Sequence, residues 1–342
     1  MITSWQSPSN IALIKYWGKR HPQLPSNPSI SFTLSECNTK TQVNFAQGSG
    51  VSISLDGVNQ PTFIPKIEEF IKRISPRHPW LSSYSLSIET SNSFPHSSGI
   101  ASSASGLSAL SLCIVEFAEK IDFQYGATGF HQEASILSRL GSGSASRSIY
   151  GGLVVWGKTP SIENANDEYA VKYPHQVHPT FNNYFDVVLL VDIGEKAISS
   201  SIGHSLMDTH PFKEKRFSQA HQNLCDIQGP LRTGDLERFI EIVELEALTL
   251  HGLMMSSSPS YILLKPNTLA IIQKIREFRI DTGLPISFTL DAGANVHVLF
   301  PSSIKEKAMH FIKDSLTQHC KSHRYILDHV GDGPKRLPNF VE

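Results

Sequence analysis

The passage through residues 83–120 constrains the fold more than any other part of the chain. SYSLSIET at 83–90 alternates polar and apolar residues as a half-buried strand does, and LSALSLCIVEFAEK at 107–120 spaces its apolar residues for a buried helix. Between them, residues 91–106 are rich in Ser and Gly. A strand that passes through such a loop into a helix N-terminus offers free backbone N–H groups and the positive end of a helix dipole. That arrangement suits phosphate.

Elsewhere the chain mixes strands and helices. VSISL at 51–55 runs into Asp56-Gly57, a strand entering a hairpin turn. A helix is expected over 131–140, then a Ser/Gly loop and an apolar strand over 152–156. Residues 158–183 are polar and broken by Pro160, Pro174 and Pro179, which places a domain junction near their end and divides the chain into 1–184 and 185–342. Beyond it, strands are expected at 185–191, 286–290 and 296–300, and helices at 217–225, 236–254, 267–278 and 304–316. Strict βαβ alternation is absent, so two α+β lobes fit better than a doubly wound sheet.

With 342 residues and 40% hydrophobic content the chain has enough apolar material for two cores. Thirty Lys and Arg against 31 Asp and Glu give no global basic field for nucleic acid or an anionic membrane, so any phosphate binding is local. Residues 1–15 lack the pattern of a cleaved leader, and no stretch approaches the roughly 20 apolar residues that span a bilayer. A cytoplasmic location is expected. Cys37, Cys113, Cys225 and Cys320 are widely separated, as reduced structural thiols are. His319, Cys320 and His323 put two imidazoles at zinc-binding spacing, but no third ligand is near and a helix-end role is favoured.

Four segments carry chemistry. The first is PHSSGIASSASG at 95–106, where the hydroxyls of Ser102 and Ser103 add donors or a Mg²⁺ ligand; it lacks the P-loop pattern, and a Ser-rich helix cap is the plainer alternative. In LGSGSASRSIYGG at 140–152, Gly141 and Gly143 allow close backbone approach, while Ser142 and Ser144 offer hydroxyls. Arg147 brings a planar fork matched to carboxylate or phosphate, although an arginine bonding helix-end carbonyls reads equally well. In SNIALIKYWGK at 9–19, a strand ending near Lys15 at a Trp17-Gly18 turn would gather the polar groups; otherwise this is an edge strand with protective lysines. Finally, FTLDAGAN at 288–295 places Asp291 at the end of a buried strand, before small residues that leave room for a ligand, or else as a turn cap.

Taken together and in this order, NIALIKYWGKR, PHSSGIASSASG, GSGSASRSIYGG and FTLDAGAN resemble the mevalonate diphosphate decarboxylases of the GHMP kinase superfamily. The likeness runs from about Ser7 to about Gly333; the first and third motifs belong to the decarboxylase branch and the second to the superfamily at large. The resemblance implies an α+β, two-lobed GHMP kinase-like fold, with a ribosomal protein S5 domain 2-like N-terminal lobe, a ferredoxin-like C-terminal lobe and the active site in the cleft between them. It also implies ATP and Mg²⁺ as cofactors, mevalonate 5-diphosphate as substrate, and a homodimer. In this family ATP phosphorylates the tertiary 3-hydroxyl; loss of that phosphate then draws CO₂ from the neighbouring carboxylate and leaves isopentenyl diphosphate.

Residue by residue, the resemblance puts Asp291 beside the 3-hydroxyl as orienter or base, and Lys15 next to it. An adjacent ammonium keeps a carboxylate ionised, which favours orientation with weak base character. Arg147 is implied to hold the substrate carboxylate, with Asn10 positioning it. Tyr16, Lys19, Ser142, Gly143 and Ser144 fall at diphosphate-binding positions, and Ser200 falls near the 3-hydroxyl and carboxylate, its register within Ser199-Ser200-Ser201 open by one. The ATP phosphates are implied to lie against Pro95, Ser97, Ser98, Gly99, Ile100, Ala101, Ser102, Ser103 and Ala104, with Ser103 touching the metal and Ser102 close behind. Two departures stand out. Ser201 replaces an arginine found in some relatives, and His96 and Ser97 depart from the smaller or different residues of many members, a change without a physical account. The competing readings are a branch relative that phosphorylates without decarboxylation or takes a monophosphate, and a catalytically silent binding module; Lys15, Arg147 and Asp291 together favour the decarboxylase.

Overall fold

The computed structural model describes residues 1–95, 100, 102–194 and 200–338. The chain starts with β1 (Ile2–Ile14), the short hairpin β2 (Lys19–Arg20) and β3 (Leu24–Pro25), and the long strand β4 (Ser29–Gln47). It continues through β5 (Val51–Leu55), β6 (Val58–Asn59), α1 (Ile64–Ile74), β7 (Tyr84–Asn92), α2 (Ser102–Lys120), α3 (Phe130–Gly141), β8 (Leu153–Trp156) and β9 (Val171–Lys172). The remainder comprises β10 (Phe185–Leu189), α4 (Ser200–Ser205), α5 (Lys213–Thr233), α6 (Leu236–Met255), α7 (Pro266–Thr282), β11 (Ser287–Leu290), β12 (Val296–Phe300), α8 (Lys305–Phe311), β13 (Tyr325–His329) and β14 (Lys335–Arg336).

Among the described residues these strands make two large sheets. The first runs β14-β1-β4-β7-β5-β6, with β8 also paired to β4 and β9 to β8; the second runs β11-β12-β10-β13. Alternation along the strands sorts most of their side chains into three main cores. Val43, Phe45 and Leu86 face α1, α2 and α3 on one side of the first sheet. Ile30 and Phe32 face Leu224, Phe239 and Val243 of α5 and α6, and Val188 of β10 joins them from the second sheet. Val187 and Leu189, one residue out of phase with Val188, pack instead on Ile271, Ile275 and Ile312. Phe32, Phe181, Tyr184 and Phe239 tie the lobes together with ring centroids 4.9 to 6.4 Å apart.

Two local features set the cleft. At Gly18, φ is +98°, the left-handed conformation that glycine tolerates, and it turns the chain sharply after β1. The C-terminal segment returns to the first sheet: Gly331 donates to Thr33 O at 2.8 Å and accepts from Gly152 N at 2.9 Å. A side chain at Gly331 would meet the Leu34 backbone at 2.6 Å, so only glycine allows that approach.

Several elements run longer than periodicity predicts. α2 begins at Ser102 instead of 107, because Ser and Ala residues carry the helix one turn further, and α5 extends over the polar residues either side of 217–225. The helix expected over 304–316 loosens into a π-turn at Ile312–Leu316. The protective-lysine reading of residues 9–19 fails at Lys15, which is buried. His319 and His323 fall on separate short turns with Ser322 at φ 52°, so the two imidazoles do not share one helical face. Among the described residues, no helix is long and apolar enough to cross a membrane.

Candidate active site

A cavity of about 570 Å³ is lined by residues of both lobes, from Lys15 and Arg147 to Asp291. Lys15 follows the last residue of β1, and its side chain is only 2% exposed. Its Nζ donates to Ala12 O at 2.6 Å and lies 3.5 Å from Asp291 Oδ1. Its backbone N–H donates to Glu246 Oε2 at 2.8 Å, and Glu246 accepts two further hydrogen bonds from Arg216 at 2.7 and 2.6 Å. Burial pulls the Lys15 ammonium pKa below its ordinary value, with Asp291 and Glu246 opposing the shift.

Asp291 follows β11 directly, and its side chain is 25% exposed at the cavity wall. The loop is pinned from behind by His251, whose Nε2 donates to the Asp291 carbonyl at 3.0 Å. Lys15 and Asp291 thus come from different sheets and meet only across the cleft.

Arg147 lies on a 3₁₀ turn, Gly143–Ile149, and is 3% exposed. Its Nε and Nη2 donate to Asn10 Oδ1 at 3.2 and 3.1 Å, Nε also to Ser31 Oγ at 3.1 Å, and Nη1 to Ser29 Oγ at 2.7 Å. Asn10 is itself fixed, donating to Ser144 O and Ser148 Oγ. All these partners are neutral. Among the described residues no carboxylate forms an ion pair with this guanidinium, and burial lowers its pKa to about 10 despite Asp291 and Tyr16. A buried, rigidly held cation facing a cavity is a seat for an anion.

Around it, Tyr16 packs on Trp156 and His204, with centroids 4.7 and 4.2 Å away, and burial raises its phenol pKa. Gly143 permits this packing, since a side chain there would lie 2.8 Å from the Tyr16 hydroxyl. Gly141 serves packing too, against Phe70 and Leu107. Lys19, Ser142, Gly143, Ser144 and Ser200 line the same cavity, as do Ser102 and Ser103 on the first turn of α2. Ile100 and Ala104 bury their side chains in the core, and Pro95 is not among the lining residues. His96, Ser97, Ser98, Gly99, Ala101 and Ser199 lie outside the described residues.

Sequence reasoning missed part of the site. An apolar end of the cavity is formed by Ile53, Leu55, Phe63, Ile67, Ile88 and Leu110, drawn from β5, the turn before α1, α1 itself, β7 and α2. The alternation in β5 and β7 marks these as inward-facing but gives no sign that they border an opening. His204, which also lines the cavity, was missed as well.

Residues 7–170 match the model of the diphosphomevalonate decarboxylase-like N-terminal domain, and residues 186–337 match that of the mevalonate 5-diphosphate decarboxylase C-terminal domain. The diphosphomevalonate decarboxylase of Gibberella zeae is 27% identical over 316 residues, covering 87% of this chain and 80% of its own length. A solved structure of MDDEF in complex with MVAPP, AMPPCP and magnesium is 29% identical and superimposes over 99% of both chains with a TM-score of 0.85. Mevalonate diphosphate decarboxylase from Staphylococcus aureus, 28% identical, gives a TM-score of 0.84 over the same 99% of each chain. Both lobes are matched, as is the order in which they occur, and the chain belongs to the diphosphomevalonate decarboxylase family.

Proposed function

We propose that this protein is the ATP-dependent enzyme that converts mevalonate 5-diphosphate to isopentenyl diphosphate, releasing ADP, phosphate and CO₂. The observation that carries this reading is Arg147: a buried guanidinium held on three sides by neutral groups and without a carboxylate partner among the described residues. Such a group binds a substrate carboxylate in a fixed orientation and releases it once it has become neutral CO₂.

Asp291 orients the 3-hydroxyl and accepts its proton, and Lys15 holds that carboxylate in place across the cleft. Asn10 fixes the plane of Arg147. Tyr16, Lys19 and the backbone of Ser142, Gly143 and Ser144 receive the diphosphate, and Ser200 borders the reacting carbon. Ser102 and Ser103, on the first turn of α2, border the ATP phosphates, and the apolar end around Ile53, Phe63 and Leu110 suits a nucleotide base. Phosphorylation of the hydroxyl makes it a leaving group; it departs as phosphate with the C–O electron pair, and the pair of the bond that breaks to release CO₂ forms the new C=C bond.

Magnesium takes most of its ligands from phosphate and water oxygens. Ser103, half-buried on the cavity wall, supplies a hard oxygen of the right kind, and no cluster of three acidic, His or Cys ligands is found among the described residues. When bound, the ion neutralises charge on the phosphates. The division into lobes 1–184 and 185–342, a cytoplasmic location and a homodimer belong to the same proposal. The lobe boundary is supported by family models that end at 170 and resume at 186, and the other two rest on the family likeness.

The test is an assay with mevalonate 5-diphosphate and Mg-ATP. CO₂ and inorganic phosphate are expected in equal amounts; ADP without CO₂ would instead indicate a kinase-only relative.

A further inference from the structure

His204 is a cavity residue with one unused donor. It lies on α4, 8% exposed, its ring 4.2 Å from Tyr16 and 4.6 Å from Trp17 by centroid. Its Nδ1 accepts the backbone N–H of Gly18 at 3.0 Å. That contact fixes the tautomer, because a ring nitrogen that accepts a hydrogen bond carries no proton; the neutral imidazole therefore holds its proton on Nε2. Among the described residues Nε2 has no hydrogen-bond partner, while the ring borders the cavity. Burial, followed by Lys19 and Arg147, lowers the pKa of His204 to about 3, so the ring stays neutral. A fixed N–H donor that shares a cavity wall with Lys19 and Arg147 calls for an acceptor that is itself anionic.

We propose that His204 is a substrate-binding residue whose Nε2–H donates to a phosphate oxygen at the diphosphate end of the substrate. Its second role is to clamp the Trp17-Gly18 turn from which Lys19 extends, so one ring both contacts the anion and sets the position of the neighbouring ammonium. This inference rests on the substrate proposed above and extends it to a residue outside the four motifs.

Two substitutions separate donor from clamp. His204→Asn keeps an acceptor near the Nδ1 position and loses the Nε2 donor; His204→Gln places an amide N–H near Nε2. Steady-state assays with mevalonate 5-diphosphate are expected to show KM raised about tenfold for His204→Asn, the size of one hydrogen bond, with kcat within about twofold. His204→Gln is expected to restore most of that loss. Wild-type KM in His204→Asn, or a larger defect in His204→Gln than in His204→Asn, would overturn the proposal. If His204→Asn fails to fold, the wild-type enzyme labelled with ¹⁵N-histidine decides: the Nε2 resonance must shift when mevalonate 5-diphosphate is added without nucleotide, and a stationary resonance refutes the contact. Wild-type turnover is measured first. An inactive wild type that binds no mevalonate 5-diphosphate defeats the functional reading itself, whereas an active wild type with an indifferent His204→Asn defeats only the role of His204.

Discussion

Arg147 makes its geometry, more than its charge, available to a ligand. Lysine at this position would keep the cation but not the fork that bonds Asn10, Ser29 and Ser31 at once. Arg147→Lys is therefore expected to fold and to lose about 10- to 100-fold in kcat/KM, the equivalent of one or two charge-assisted hydrogen bonds, measured by CO₂ release. Activity within twofold of wild type would show that charge alone suffices. Lys15, Arg147 and Asp291 were legible in the sequence because each is a charge set among small or apolar residues. His204 and Glu246 were not, because their meaning lies in partners 186 and 231 residues away, Gly18 N–H and Lys15 N–H. No local pattern announces such a pairing.

At the scale of elements, the segment that follows α1 is locked to α3 by a buried carboxylate. Glu133, wholly buried, accepts from Arg77 at 3.0 and 2.6 Å, from His78 Nε2 at 2.9 Å and from Thr128 at 2.9 Å. Trp80 donates to His78 Nδ1, which places the imidazole proton on the nitrogen facing Glu133. Burial alone would raise the Glu133 pKa, but the hydrogen bonds from His78 and Arg77 prevail and hold it at about 2, against 4.5 for the free side chain. The folded pKa is the lower one, so the unfolded chain binds more protons between these values. The stabilisation is whole above pH 4.5 and fades as pH falls toward 2, on the order of 3 kcal/mol in all. Urea unfolding of Glu133→Gln is expected to show lower stability at pH 7 and a gap from wild type that narrows in acid; a gap independent of pH would contradict this. The sequence hid the neighbouring elements for a physical reason. β4 buries Ser29, Ser31, Thr39 and Thr41, so small hydroxyl residues occupy places where apolar ones would have revealed a strand. α1 follows Pro61 and carries Pro65 in its first turn, prolines that interrupt the apolar pattern even though proline is well suited to that position.

Across the whole molecule, function depends on two lobes holding a fixed relation. Asp328 of β13 accepts backbone N–H groups of Ser35, Glu36 and Cys37 in β4 at 2.9, 2.8 and 2.7 Å, linking the second sheet to the first. Asp328→Ala leaves these three donors unpaired and is expected to cost at least about 3 kcal/mol, read as a lower urea midpoint; an unchanged midpoint would mean the link is not part of the stable core. The two-lobed α+β architecture was legible from the mixed pattern of strands and helices, while the return of residues 330–336 to the first sheet was not, because strands as short as β14 carry no periodicity. That relation brings Lys15 from one sheet to Asp291 at the end of the other. The most direct test is Asp291→Asn, assayed for CO₂ release with mevalonate 5-diphosphate and Mg-ATP alongside calorimetric substrate binding. Turnover is expected to fall by about 100-fold or more with substrate affinity largely kept, and turnover equal to wild type would contradict the account.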